Sequence, residues 1–229
     1  MNLARQDWQG AGASLDAQGW GLLRGLLDAK NCAQLRALYD KEVFRSTVVM
    51  ARHGFGKGEY KYFAYPLPEP VAALRASLYI QLAPVAGRWA TMRGEDLHYP
   101  ASHAGYLKRC HQAGQRPTPL LLKYGPGDYN CLHQDLYGEH VFPLQVAILL
   151  AEPGEDFTGG EFVMTEQRPR AQSRASVVPL RQGDGVAFAV HRRPVRGTRG
   201  THAVHHRHGV SALVTGERYT LGVIFHDAQ

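Results

Sequence analysis

Cysteine is scarce in this chain. Cys32, Cys110 and Cys131 are odd in number and show no Cys-x-x-Cys spacing. That argues against a disulfide framework and leaves free thiols in a reducing compartment, so a cytoplasmic location is expected. Long hydrophobic runs are missing too. The longest, around "VAILLA", falls far short of the roughly 20 residues needed to cross a bilayer, so no membrane partner is expected. The opening "MNLARQDWQG" has no apolar core, which speaks against a secretory signal. No internal repeat is evident.

The 229 residues are 44% hydrophobic and 20% charged, an ordinary globular composition with enough apolar content for a sizeable core. Twenty-five Gly and 13 Pro imply many turns and favour a β-rich fold. The net charge of +6 is unevenly placed: from Glu166 to His208 there are nine Arg (168, 170, 174, 181, 192, 193, 196, 199, 207) against two acids, Glu166 and Asp184. Such a stretch suits a polyanionic partner or a solvated loop surface.

In "LLDAKNCAQLRALYD", Leu27, Ala33, Leu35, Leu38 and Tyr39 recur near helical spacing. Residues 70–93 form a second helical stretch, opened by Pro70 and interrupted by Pro84. Between them, residues 52–70 are Gly-rich, aromatic and basic without a steady period, which predicts a loop or hairpin. From Leu120 onward the texture changes to eight short apolar or alternating runs: "LLLKY", "NCLHQDLY", "LQVAILLA", "EFVMTE", "ASVVPL", "GVAFAV", "THAVHHRH" and "RYTLGVIFH". Turn signals such as "GPGD", "RQGDG" and "VTGE" separate them. This predicts a mainly β barrel or double-sheet roll over 120–229, with a helical and loop region over 1–119 packing on it as one unit.

Residues two apart on a strand share a face, so His133 and Asp135 point the same way and their ligand atoms can converge on one ion. A wetted strand face gives the same pair, and a third ligand from a distant strand decides between the two readings. Two His plus a carboxylate with open positions is the facial triad of non-haem Fe(II) oxygenases. Late candidates are His191, His202, His205, His206, His208 and His226. "HGVSALVTGER" reads as a strand, a turn and a returning strand, with Arg218 ten residues after His208. Both can then face one interior, His208 as ligand and Arg218 as a bidentate carboxylate clamp. His202 and His206 share the parity of His208 and remain alternatives, whereas His205 points to the other face.

These segments resemble the 2-oxoglutarate/Fe(II)-dependent dioxygenases, whose fold is a double-stranded β-helix, or jelly roll. "YGPGDYNCLHQD" is similar to the proximal motif of the AlkB nucleic-acid dealkylases. "HGVSALVTGERYTL" is similar to the distal block of both AlkB and the prolyl hydroxylases, with the His-to-Arg offset closer to the latter. "GGEF", "GDGVAF" and "GWGLLRGLLDAKNCAQLRALY" also resemble prolyl-hydroxylase segments. The resemblance implies a jelly roll with N-terminal helices packed on it. It implies Fe(II) held by His133, Asp135 and His208, and 2-oxoglutarate held by Arg218 with help from Tyr124 and Thr220. It implies use of O2 to hydroxylate a C–H bond, with release of succinate and CO2. One departure stands out: AlkB carries a second Arg six residues past the one matching Arg218, and this chain has Ile224 there.

The remaining polar and aromatic residues define the expected partners. Tyr60, Lys61, Tyr62, Phe63 and Tyr65 can stack on bases and meet phosphates, or pack the helical layer onto the barrel. With Arg192 and Arg193, the residues Tyr60, Lys61 and Tyr62 are the candidate substrate contacts. Cys131 is expected to pack as a small buried hydrophobe. His205 and His206 are expected at the surface or on the substrate side, and "FHD" (225–227) in a structural role. The leading expectation is oxidative demethylation of alkylated bases in nucleic acid, as in DNA repair. The alternatives are prolyl-type hydroxylation of a protein substrate and a non-catalytic nucleic-acid-binding jelly roll.

Overall fold

The computed structural model describes residues 1–110, 115–198 and 200–228. Four helices, α1 (Trp8–Gln18), α2 (Ala29–Arg36), α3 (Glu69–Arg93) and α4 (His103–Cys110), precede most of the strands. The strands are β1 (Trp20–Leu23), β2 (Phe44–Val49), β3 (Gly56–Lys57), β4 (Glu59–Phe63), β5 (Leu120–Tyr124), β6 (Tyr129–His133), β7 (Leu144–Leu149), β8 (Phe157–Gly159), β9 (Phe162–Gln167), β10 (Arg174–Val178), β11 (Gly185–Ala189), β12 (Arg192–Gly197), β13 (Gly200–Val210), β14 (Leu213–Gly216) and β15 (Arg218–Val223). A large sheet has the order β1-β11-β7-β15-β5-β4-β2. A smaller one has the order β10-β9-β13-β6-β3, with β12 on β13, and β14 pairs β8 separately. Every pairing within these sheets is antiparallel.

Two apolar layers explain this arrangement. Ala147 and Leu149 of β7, Val186 and Phe188 of β11, Phe162 and Met164 of β9 and Val210 of β13 pack together between the sheets. The alternate residues Leu144, Val146, Ile148, Ala187, Leu221 and Val223 face Leu15, Leu35, Leu74, Leu78 and Trp89 of the helices. β7 is therefore covered on both faces and its six residues are all buried, which is why "LQVAIL" reads as a continuous apolar run. The architecture is the expected jelly roll with helices packed on it, and all eight runs predicted from Leu120 onward form strands.

The N-terminal half departs from expectation in three places. α1 lies where no helix was predicted. Its start is capped by Asp7, whose Oδ1 accepts from the Gly10 N–H at 2.8 Å. α3 runs through Pro84 unbroken. The carbonyl that Pro84 cannot satisfy belongs to Ile80, and both residues are exposed, so water can meet it. Finally, residues 1–119 supply strands as well as helices: β1 edges the large sheet on β11, and the β2–β4 hairpin extends it beyond β5. Its second strand, β4, lies in the basic, aromatic stretch expected as a loop or hairpin, and its register places Tyr60 opposite Leu122 and Tyr62 opposite Leu120. Among the described residues no helix is long and apolar enough to cross a membrane.

Candidate metal centre

β6 and β13 run side by side with His133 opposite His208 in register. The register shifts between His208 and Val210, and Gly209 lies at the shift. A Cβ on Gly209 would stand 2.7 Å from the Asn130 carbonyl oxygen, so glycine is what lets the two strands close here. The two imidazole rings end up 4.2 Å apart between centroids. Asp135, two residues past His133, places Oδ1 3.4 Å from His133 Nε2 and Oδ2 3.5 Å from His208 Nε2. One ligand atom from each residue lies within 4.8 Å of the other two, and no other group of three such residues occurs among the described residues.

The surroundings orient these side chains. His133 Nδ1 lies 2.8 Å from the Cys131 carbonyl oxygen. Donating there fixes the ring's orientation and leaves Nε2 facing Asp135. His208 is held by rings instead: Phe188 at 4.6 Å and Phe162 nearly parallel at 5.9 Å. Burial drives the His208 imidazole below the ordinary range, and the adjacent His133 reinforces this. Burial pulls on His133 the same way, but Asp135 and the Cys131 carbonyl outweigh it and hold His133 above its usual value. Burial would raise the Asp135 carboxyl, yet its hydrogen bonds to His133 and His208 keep it well below the carboxylate range. The result is an ionised carboxylate between two imidazoles, a donor set that suits a divalent transition metal.

These residues sit in a cavity of about 380 Å³ between the two sheets, and Arg218 lies in the same cavity. Its guanidinium is fully buried. Nη1 donates to Thr220 Oγ1 at 2.6 Å, while Nε has no partner. No carboxylate among the described residues pairs with it, and burial lowers it to about 10. Tyr124, opposite Arg218 in register, presents its ring 5.6 Å from the guanidinium carbon. A buried cation with an open donor is unfavourable unless an anion enters, so this corner can take an anion such as a carboxylate.

A model of the Oxygenase-NA family, described as an oxygenase catalysing oxidative methylation of damaged DNA, matches residues 58–228. The chain belongs to this family. Two uncharacterized proteins of Mycobacterium tuberculosis, Rv2227 of strain H37Rv and MT2286 of strain CDC 1551, are each 52% identical to the oxygenase over 167 residues, 72% of either chain. Its fold is similar to that of a Pseudomonas putida prolyl-4-hydroxylase (TM-score 0.58, 15% identity, 97% of this chain and 99% of that one). It is likewise similar to a 2OG-Fe(II) oxygenase family oxidoreductase of Burkholderia pseudomallei (TM-score 0.57, 17% identity, 98% and 93%).

The oxygenase places its other predicted residues unevenly. Tyr60 and Tyr62 line the cavity. Their hydroxyls lie beside that of Tyr137, which in turn neighbours the Asp135 carboxylate. Lys61, between them on β4, points the other way: its Nζ lies 4.1 Å over the Tyr39 ring and donates to the Tyr39 carbonyl. Lys61 is thereby removed from the substrate set by strand alternation. Arg193 is removed too, because its guanidinium is buried and bonded to Glu166, the Asp16 carbonyl and His206. Arg192 is exposed but does not line the cavity. Glu166 also takes Arg168 and Arg174, so part of the Arg-rich stretch is internally neutralised; Arg199 lies outside the described residues.

The remaining histidine and cysteine expectations divide in the same way. His206, expected at the surface or on the substrate side, is buried beside Gly19 and Arg193, and neither it nor His202 joins the His133 cluster. Cys131, expected buried, is exposed at the cavity mouth. The "FHD" segment is structural, with Asp227 paired to buried Arg75 at 2.7 Å. Among the lining residues that escaped the sequence reading are Tyr137 and Gln145. Tyr137 lies just past the HxD motif without a spacing of its own. Gln145 is a buried amide whose Nε2 has no partner, hidden in the apolar run of β7.

Proposed function

We propose that this oxygenase uses Fe(II), 2-oxoglutarate and O2 to oxidise N-alkyl groups on damaged bases in DNA. The observation that carries the reading is the meeting, in one cavity, of His133, Asp135 and His208 with an unpaired buried Arg218. His133, Asp135 and His208 would hold the iron, leaving positions open for cosubstrate and oxygen. When bound, that iron supplies the oxidising chemistry, and 2-oxoglutarate is consumed to succinate and CO2. Arg218 and the Thr220 hydroxyl orient the cosubstrate through its far carboxylate, while Tyr124 walls that corner from water. Tyr60, Tyr62 and Tyr137 offer ring faces to a base within the cavity.

An oxygen atom inserted into an N-methyl C–H bond gives an N-hydroxymethyl group. Breakage of its C–N bond then restores the base N–H and releases formaldehyde. Chemically this removes a methyl group, so demethylation is the direction we assign to the oxidative reaction on damaged DNA.

The ten-residue offset between His208 and Arg218 favours a second reading, hydroxylation of a protein side chain of prolyl type. The test supplies the protein with Fe(II), 2-oxoglutarate, methylated DNA or RNA, and a peptide panel. Succinate and formaldehyde in equal amounts with methylated DNA support our reading. A peptide that gains the mass of one oxygen, with methylated DNA inert, supports the second.

A further inference from the structure

Phe55, Tyr129, Leu132 and Leu136 are exposed large apolar side chains on two neighbouring segments, and Phe55 and Leu132 line the mouth of the iron cavity. The segments are fastened together. β3 pairs with β6, setting Gly56 opposite Asn130 and Lys57 opposite Tyr129, and the Cys131 N–H donates to the Phe55 carbonyl at 2.9 Å. Gly54, Gly56 and Gly58 all have positive φ, and a Cβ on Gly56 would lie 2.3 Å from the Tyr129 carbonyl oxygen. The segment from Met50 to Gly58 is thus a tight finger locked to the strand that carries His133. Its tip, Phe55, is 48% exposed and stacks on His53 at 5.4 Å and 22°. Arg52, His53 and Lys57 are exposed on the finger, and no acid occurs between Met50 and Gly58.

A rigid aromatic in water beside a reactive cavity, flanked by cations, complements a partner with flat faces and phosphates. The target atom of a paired base is unreachable until the base leaves the stack, and the gap it vacates favours an inserted apolar wedge. Because the finger is held in advance, little ordering cost remains on binding. Resting on the reading that methylated DNA is the substrate, we propose that this finger is the duplex-reading element. Phe55 fills the stack beside an extruded methylated base, and Arg52 and Lys57 meet the flanking phosphates.

The test measures binding of Mn(II)- and 2-oxoglutarate-loaded protein to a fluorescent duplex carrying one N-methylated adenine, alongside turnover of the same duplex by the Fe(II) form. Phe55→Ala is expected to weaken binding by about 5- to 100-fold, the usual worth of one stacked base. Phe55→Trp is expected to restore it, with quenching of the new indole on binding. Arg52→Gln with Lys57→Gln is expected to flatten the log Kd against log salt slope by about two. If the wild type acts on the duplex and Phe55→Ala matches it, the finger proposal is overturned while the substrate reading stands. Action on methylated single strands but not on the duplex overturns it in the same way. If no methylated oligonucleotide is bound or stimulates turnover, the substrate reading falls and the finger with it.

Discussion

Replacing Arg218 with Met should produce two effects of opposite sign. In the ligand-free protein the guanidinium is buried, carries one hydrogen bond to Thr220 and has no ion-pair partner among the described residues, Glu161 acting on it only at longer range. Burial lowers it to about 10, which is roughly 3 kcal/mol against the charged form. That figure already includes the favourable pull of Tyr124, whose ring lies 5.6 Å away, and the Phe157 ring lies at 5.9 Å. Arg218→Met therefore leaves folding stability unchanged or raises it by roughly 1–3 kcal/mol. The cosubstrate, however, loses two charge-assisted hydrogen bonds worth about 1.5–3 kcal/mol each, so 2-oxoglutarate binds about 10²- to 10⁴-fold more weakly. Mn(II) affinity changes little, because Arg218 is not among the three clustered ligands. The assay is thermal unfolding and calorimetric titration of the Mn(II) form. 2-Oxoglutarate raises the Tm of the wild type and not of the variant. A variant that is clearly less stable without ligand yet binds 2-oxoglutarate as tightly would refute the reasoning.

Metal affinity should depend on pH through His133. Its imidazole is held above the usual value in the ion-free protein and must give up its proton to bind a metal. Titrations across about pH 5–8 therefore show Mn(II) affinity rising with pH, by about tenfold per unit below the His133 value, and levelling above it. Gly209→Ala forces a Cβ against the Asn130 carbonyl, where only 2.7 Å is available. Parting β13 from β6 moves His208 off its partners and weakens metal binding about 10- to 100-fold, as loss of ligand support generally does. Arg75→Met leaves Asp227 buried without its 2.7 Å ion pair. The expected cost is about 3–5 kcal/mol, read as a Tm drop on the order of 10 °C; an unchanged Tm would show that the pair is not needed.

The C-terminal half was legible because each strand there is bounded by turn chemistry and alternates or runs apolar to order. His133, Asp135 and His208 were legible for a related reason: strand parity restricts which side chains can meet, and a family likeness chose His208 over His202 and His206. β4 read only as part of a loop or hairpin because Tyr60, Lys61, Tyr62 and Phe63 form a nearly unbroken aromatic run. Tyr60 and Tyr62 face the cavity, while on the other face Glu59 and Lys61 give way to Phe63 in the helix-side core, so the polar alternation is too short to mark the strand. α1 escaped notice because "WQGAGASLDAQ" holds two glycines and no apolar stripe, its helix depending on Asp7 and on packing of Ala11 and Leu15. Nothing local separates Arg193 from Arg192. One is buried because Glu166, 27 residues away, neutralises it across the sheet. The same non-locality concealed Gln145.

The central claim is that His133, Asp135 and His208 hold iron beside a 2-oxoglutarate seated on Arg218, and anaerobic absorbance tests it most directly. Adding Fe(II) and then 2-oxoglutarate to oxygen-free protein should develop a visible charge-transfer band. That band should be absent in Asp135→Ala and need far more 2-oxoglutarate in Arg218→Met. No band in the wild type, or the same band in Asp135→Ala, would contradict the account.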